Sequence, residues 1–320
     1  MNLNPVVLAI PLYFALMLVE LIYQIYKKDV HYRLNDALTN ISCGVTQQIS
    51  GVFFKVISIG VYTLIYENFR FIDVKMTWYI FIIYFILTDF FYYWAHRKSH
   101  DISLFWGGHV VHHQSEDYNL SVALRQSTFQ VFFTFTFFLP LAFFGFDPVY
   151  FVIAYGVNLV YQFWIHTESI DKMGWFELIF NTPSHHRVHH GKNPKYIDKN
   201  HAGVFIIWDK MFGTFQEEEE RPVYGITTPL NSWDPIWANL DHFKNLGKAI
   251  LKVKNISDAF KILFNKPGWM PEYLGGHLKP KEIDRSKYKK FDIGLNNLIN
   301  GYVLSQYAIV LGFTNVFLFF

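Results

Sequence analysis

Asp89-Phe90-Phe91-Tyr92-Tyr93-Trp94-Ala95-His96-Arg97-Lys98-Ser99-His100 closes an apolar run that begins at Thr77, and at its end a membrane-like composition gives way to a histidine pair. A span of about 20 apolar residues matches the hydrocarbon thickness of a bilayer, so the run reads as a crossing helix. Asp89, Tyr93, His96 and His100 share one face of that helix, at offsets of four, seven and eleven. A carboxylate within such a run is costly, which predicts that Asp89 orients a ligand imidazole through its other ring nitrogen.

Working outward, further candidate spans are Pro5 to Tyr26, Ser42 to Tyr66, Ser127 to Phe144, Pro148 to Ile165 and Leu298 to Phe320. The first ends in Lys27, Lys28, His31 and Arg33, a pattern of cytoplasmic exit; it lacks the basic start and short apolar core of a cleaved signal peptide. Counting crossings from there brings Ala95 and His166 to the same, cytoplasmic, side. The turn Gly145-Phe146-Asp147-Pro148 makes a hairpin of the fourth and fifth spans, and partial insertion of that hairpin leaves the parity unchanged. Residues 166–297 are polar and loop-rich and read as a cytoplasmic cap, with Glu217 to Glu220 as a solvated acidic loop. The last span stops at Phe320 inside an apolar run, the pattern of a chain cut short.

Composition agrees with this division between two phases. Of 320 residues, 52% are hydrophobic and 20% aromatic, against 17% charged, more apolar surface than a water-soluble domain needs. The mean hydropathy of +0.15 still requires a sizeable part outside lipid. A net charge of +2, dispersed along the chain, argues against nucleic acid as a partner. The single cysteine, Cys43, rules out an internal disulfide and a cysteine-based metal cluster, so a metal must be held by nitrogen or oxygen.

The histidines supply the nitrogen. Eleven of the 14 fall between His96 and His201: His96, His100, His109, His112, His113, His166, His185, His186, His189, His190 and His201. His109, His112 and His113 stand at i, i+3 and i+4, and His186, His189 and His190 repeat the pattern, so each trio projects from one helical face. An isolated histidine such as His31, His242 or His277 reads as an ordinary core or interfacial residue. Eight or nine imidazoles converging on one membrane face repel one another when protonated, which calls for a cation among them. One ion takes about four to six ligands, so nine histidines suit two ions. Imidazole accepts zinc, copper, iron or nickel alike, and spacing alone leaves the element open. No His-Glu-x-x-His pair, phosphate-cradling glycine loop or Gly-x-Ser-x-Gly elbow accompanies them, which removes support for a zinc protease, phosphoryl transfer and serine hydrolysis.

The succession His96-x-x-x-His100, His109-x-x-His112-His113 and His186-x-x-His189-His190 resembles the eight-histidine signature of the fatty acid hydroxylase and sterol desaturase superfamily. Tyr118-Asn119-Leu120-Ser121, Leu124-Arg125-Gln126-Ser127, Gln162-Phe163-Trp164-Ile165-His166-Thr167, Pro183-Ser184-His185-His186, Trp208-Asp209-Lys210-Met211-Phe212-Gly213-Thr214 and Pro229-Leu230-Asn231-Ser232-Trp233 look like its alkylglycerol monooxygenase branch, over roughly residues 80–275. The resemblance implies two iron ions held by the eight signature histidines, with His166 as a ninth ligand. His185 and His201 become alternative ligands or residues that orient ligands from outside. Gln162 stands where related hydroxylases can carry a further histidine, which leaves the coordination number of one ion open.

The resemblance also implies chemistry: activation of O2, oxidation of a C–H bond in a membrane lipid, and electrons from tetrahydropterin or another external reductant, since no heme motif is fused to the chain. In that branch the substrate is an alkylglycerol ether lipid; sterol or fatty acyl hydroxylation or desaturation is the alternative within the superfamily. A membrane transporter or sensor for zinc or copper is the reading from another class, and histidines at helix ends rather than at mid-membrane favour the enzyme. The expected fold is an all-α, multi-pass transmembrane bundle with a cytoplasmic helical cap carrying the dimetal site. It divides into N-terminal transmembrane helices (1–76), a hydroxylase-type catalytic domain (77–220), a cap extension (221–297) and a C-terminal transmembrane helix (298–320).

Overall fold

The computed structural model describes residues 5–319, and among these every regular element is helical. Among the described residues, three helices are long and apolar enough to cross a membrane: α1 (Pro5–Lys27), α2 (Leu34–Phe69) and α3 (Trp78–Asp101). Thr77 caps α3, its hydroxyl accepting from the Ile80 N–H. α2 starts eight residues before the expected Ser42 because its first turns are polar yet paired. Asn40 donates to Ser121, Thr39 to the Trp233 carbonyl, and Asp36 accepts from Ser115.

Past α3 the chain turns through two short helices, α4 (Ser103–Trp106) and α5 (Val110–His113), then enters the membrane region again. The stretch from Ser127 to Phe144, expected as a fourth spanning helix, is instead broken. It comprises α6 (Gln130–Thr134), a 3₁₀ turn (Phe135–Phe138) and α7 (Leu139–Phe143) with Pro140 near its start. At about 1.5 Å per residue these 14 residues reach roughly 21 Å, short of a hydrocarbon core of about 30 Å. α8 (Pro148–Trp164) follows after Asp147, whose carboxylate accepts from the N–H groups of Val149 and Tyr150. The two limbs form a wedge between the longer helices. Tyr62 of α2 stacks on Phe151 with centroids 4.5 Å apart and donates to the Phe146 carbonyl, and Tyr84 of α3 stacks on Phe146. Hydropathy had registered the apolar composition of this segment; its aromatic and proline content breaks the helix and packs it as core.

Over the ends of these helices lie α9 (Pro183–His190), α10 (Ile207–Phe212), α11 (Pro235–Ile250) and α12 (Ile256–Phe264), joined by ordered loops and two isolated β-bridges. α13 (Asn297–Phe319) returns against α2; Phe320, the end of the expected final span, lies outside the described residues. The acidic run departs from expectation at one position. Glu218 is buried and forms a bidentate ion pair with fully buried Arg187, at 2.9 and 2.7 Å, while Glu217 and Glu219 face solvent.

Candidate metal centre

The nine expected ligands converge from four places in the chain. His96 and His100 occupy the last two turns of α3, after which Ile102 leaves helical geometry. The turn that brings His109 back requires Gly107 and Gly108: a Cβ on either would come within 2.6 Å of the Phe243 ring or 2.5 Å of the Phe133 ring. α5 then presents His112 and His113, α9 presents His186, His189 and His190, and His166 follows directly on α8. All nine are buried, none exposing more than 5% of its surface.

They sort into two groups whose ligand atoms lie within 4.8 Å of one another: His96, His100, His109, His113 and His189 in one, His112, His166, His186 and His190 in the other. The groups adjoin, with the His113 and His190 rings stacked at 4.4 Å. Ring orientation is fixed from outside. His96 Nδ1 faces the His201 carbonyl at 2.7 Å, His112 Nδ1 that of Arg125 at 3.0 Å, His166 Nδ1 that of Gln162 at 2.7 Å and His189 Nδ1 that of Lys199 at 2.9 Å. A carbonyl only accepts, so each of these nitrogens carries the proton and each Nε2 turns a bare lone pair inward.

That arrangement fits a cation. His112 Nε2 and His166 Nε2 stand 3.2 Å apart, two lone pairs facing each other. A shared extra proton is disfavoured: burial lowers the His112 imidazole to about 4 and holds His166 well below the ordinary range. Burial holds His109, His113, His186, His189 and His190 down likewise. The buried Nε2 atoms of His100, His189 and His190 have no hydrogen-bond partner. Neutral, convergent imidazoles with inward lone pairs are a donor set that could hold a nitrogen-ligated metal, and the two groups offer room for one ion each.

Four further residues were expected around this set: Asp89, Gln162, His185 and His201. Asp89 touches no imidazole. Its carboxylate accepts from Asn158, the Trp208 indole and the backbone N–H groups of Val204 and Phe205, docking the 202–208 loop onto α3. The His201 end of that loop, whose carbonyl meets His96, is held by Asp209, which accepts from the His201 and Ala202 N–H groups at 2.8 Å each. Gly203 is needed there, since a Cβ would meet the Asp89 carboxylate at 2.7 Å. Gln162 contributes its backbone carbonyl to His166, while its side chain joins Tyr92 and Asn158 at 2.7 Å each. His185 packs edge-on against Phe215, outside both groups. His201 lies beside the five-histidine group, its ring 5.0 Å from that of His100, and both its nitrogens are buried without partners.

Two positioning residues carried no sequence-derived role. Arg125, fully buried, donates to the Val111 carbonyl, Asn40 and Gln114, pinning α5, while its own carbonyl orients His112. Arg187 ties α9 to the Thr167 and Ile170 carbonyls and to Glu218. Both stand within motif stretches, Leu124 to Ser127 and Pro183 to His190, which was the available signal.

A cavity of about 310 Å³ runs from the histidines into the membrane region. His109, His112 and His166 line it, Gln47, Gln48 and Lys55 of α2 reach it too, and much of the remaining wall is apolar, with Ile10, Phe14, Leu124, Phe138, Leu159 and Phe163 among its side chains.

With this geometry in hand, similarity to known proteins becomes informative. The family model described as fatty acid hydroxylase matches residues 81–214, which hold all nine clustered histidines. The chain is 43% identical over 312 residues to alkylglycerol monooxygenase of Homo sapiens, covering 95% of this chain and 69% of that protein. It is 42% identical over 263 residues to the Xenopus tropicalis alkylglycerol monooxygenase, covering 81% and 58%, and 38% identical over 315 residues to that of Danio rerio, covering 96% and 69%. No solved structure matches it. Signature histidines, fold and similarity over nearly the whole chain agree: the chain belongs to the fatty acid hydroxylase family, and within that family it is similar to the alkylglycerol monooxygenases.

Proposed function

We propose that this integral-membrane protein is a di-iron monooxygenase that hydroxylates an alkylglycerol ether lipid at the carbon next to the ether oxygen. The observation that carries the reading is the cavity lined in part by His109, His112 and His166. In this reading the nine clustered histidines hold two iron ions, which supply O2 activation when bound. One oxygen atom enters the C–H bond; the other leaves as water, with two electrons and two protons from an external donor, tetrahydropterin or a separate partner. The hemiacetal so formed collapses to an aldehyde and glycerol.

The chain's own contribution is threefold. The apolar walls hold the alkyl chain in line with the ligands, which limits the carbons that can reach them. The carbonyls of His201, Arg125, Gln162 and Lys199 fix the imidazole tautomers. Trp106, packed on His100 at 4.8 Å, and Tyr118, 5.3 Å from His190, help close the centre to bulk water. Residues 77–220 form the catalytic unit, 221–297 extend its cap, and the site faces the cytoplasm.

Purified protein loaded with iron should consume O2 and release a fatty aldehyde from an alkylglycerol when tetrahydropterin is supplied. Tightly bound zinc alone, without iron-dependent O2 consumption in any lipid mixture, would overturn the oxygenase reading. Sterol intermediates changing in cells that lack the protein, with ether lipids unchanged, would overturn the substrate.

A further inference from the structure

Helices α11 and α12 stand outside the cavity and the metal centre, and their placement is specific. α11 crosses the ends of three membrane segments at one level. Ala238 packs on Cys43 of α2, Asn239 accepts from Ser127 and the Thr128 N–H at the start of the broken wedge, and His242 meets the Ser103 carbonyl just past α3. Phe243 packs against Phe129 and Phe133. α12 folds back along α11 through Ile262, which is buried against Leu246 and Ala249. It ends at the same level, where the Asn265 carbonyl accepts from the Ser103 N–H.

The side of α12 turned away from Ile262 is apolar and exposed. Ile256, Phe260 and Phe264, four residues apart and so in one stripe along α12, are 77%, 58% and 50% exposed, and Leu251 between the helices is 88% exposed. Residues 236–264 carry five lysines, Lys244, Lys248, Lys252, Lys254 and Lys261, against two aspartates, Asp241 and Asp258. All five lysines are exposed, and Lys244 lies over the Trp237 ring at 4.5 Å. An apolar stripe flanked by lysines and a tryptophan is the composition of a helix lying in a bilayer interface, where apolar side chains sink beneath the headgroups and ammonium groups reach phosphate.

We propose that the α11–α12 pair lies in the plane of the membrane surface on the histidine side, with Ile256, Phe260 and Phe264 among the upper acyl chains and its lysines on anionic phosphate headgroups. The level at which α11 packs, where α3 ends and the wedge begins, favours lipid over a protein partner as the occupant.

Because the one native cysteine, Cys43, is fully buried, a single introduced thiol can be labelled selectively in the full chain. Phe260→Cys, carrying an environment-sensitive fluorophore, would be reconstituted into phosphatidylcholine vesicles containing phosphatidylglycerol brominated near the top of its acyl chains. The label should lose roughly half its emission or more, while the same label at Glu219→Cys, on the exposed cap loop, should keep its emission. Combining Lys252→Gln, Lys254→Gln and Lys261→Gln should weaken the quenching of the Phe260 label. A Phe260 label that brominated lipid does not quench overturns the proposal in either form: exposed to aqueous iodide, the face is in water; shielded from it, the face is covered by protein.

Discussion

Each clustered imidazole is buried and oriented, so losing one should register in metal content before it registers in fold. His112→Ala and His189→Ala should each abolish turnover and lower the metal bound per chain, whereas His277→Ala, outside both groups, should leave both near the unaltered level; equal loss in all three would mean the groups do not define the centre. Arg187 offers a test of stability. Removing one partner of a buried ion pair costs about 3–5 kcal/mol, so Arg187→Met should lower the thermal midpoint markedly. Arg187→Met combined with Glu218→Leu should recover part of that loss, because the buried carboxylate that Arg187→Met leaves with Arg221 alone, at 3.3 Å, is then removed as well. Eight of the nine histidines were readable because helical spacing is a property of adjacent residues, whereas His166, alone after α8, was reached only through the family resemblance. Glu218 was not readable: its partner stands 31 residues earlier, and a run of four glutamates looks solvated whichever member is paired.

Among the elements, the long helices were legible from composition and length, as for α1 and α3, whose apolar runs exceed what a soluble helix needs. The wedge was not, because a hydropathy window sums apolar character and ignores that Pro140 and the crowded phenylalanines favour short, bent turns. The coupling between α3 and the 202–208 loop was invisible for another reason: the donors to Asp89 lie as far as 119 residues away. That coupling predicts a selective defect. Asp89→Ala leaves four donors without their acceptor and loosens the far end of the loop whose His201 carbonyl meets His96, so with metal in excess it should deplete the five-histidine group while the four-histidine group keeps its ion. Metal analysis with spectroscopy of the residual ion would show it, and uniform loss of both ions would contradict the assignment.

For the molecule as a whole, the cavity separates binding of lipid from binding of metal. Ala123→Phe places a ring in the cavity wall without touching a histidine. Turnover of long-chain substrate should fall about tenfold or more while metal content stays unchanged, a split that a folding defect could not produce. The division of the nine histidines has a further consequence. His112 and His113 are neighbours in one helical turn, yet they serve different groups, and so do His189 and His190. Whichever ion arrives first therefore restrains both two-residue bridges and organises two of the other ion's ligands in advance. Occupancy should rise cooperatively: under limiting metal the population should divide into empty and doubly filled molecules, with singly filled ones scarce, and native mass spectrometry can count them.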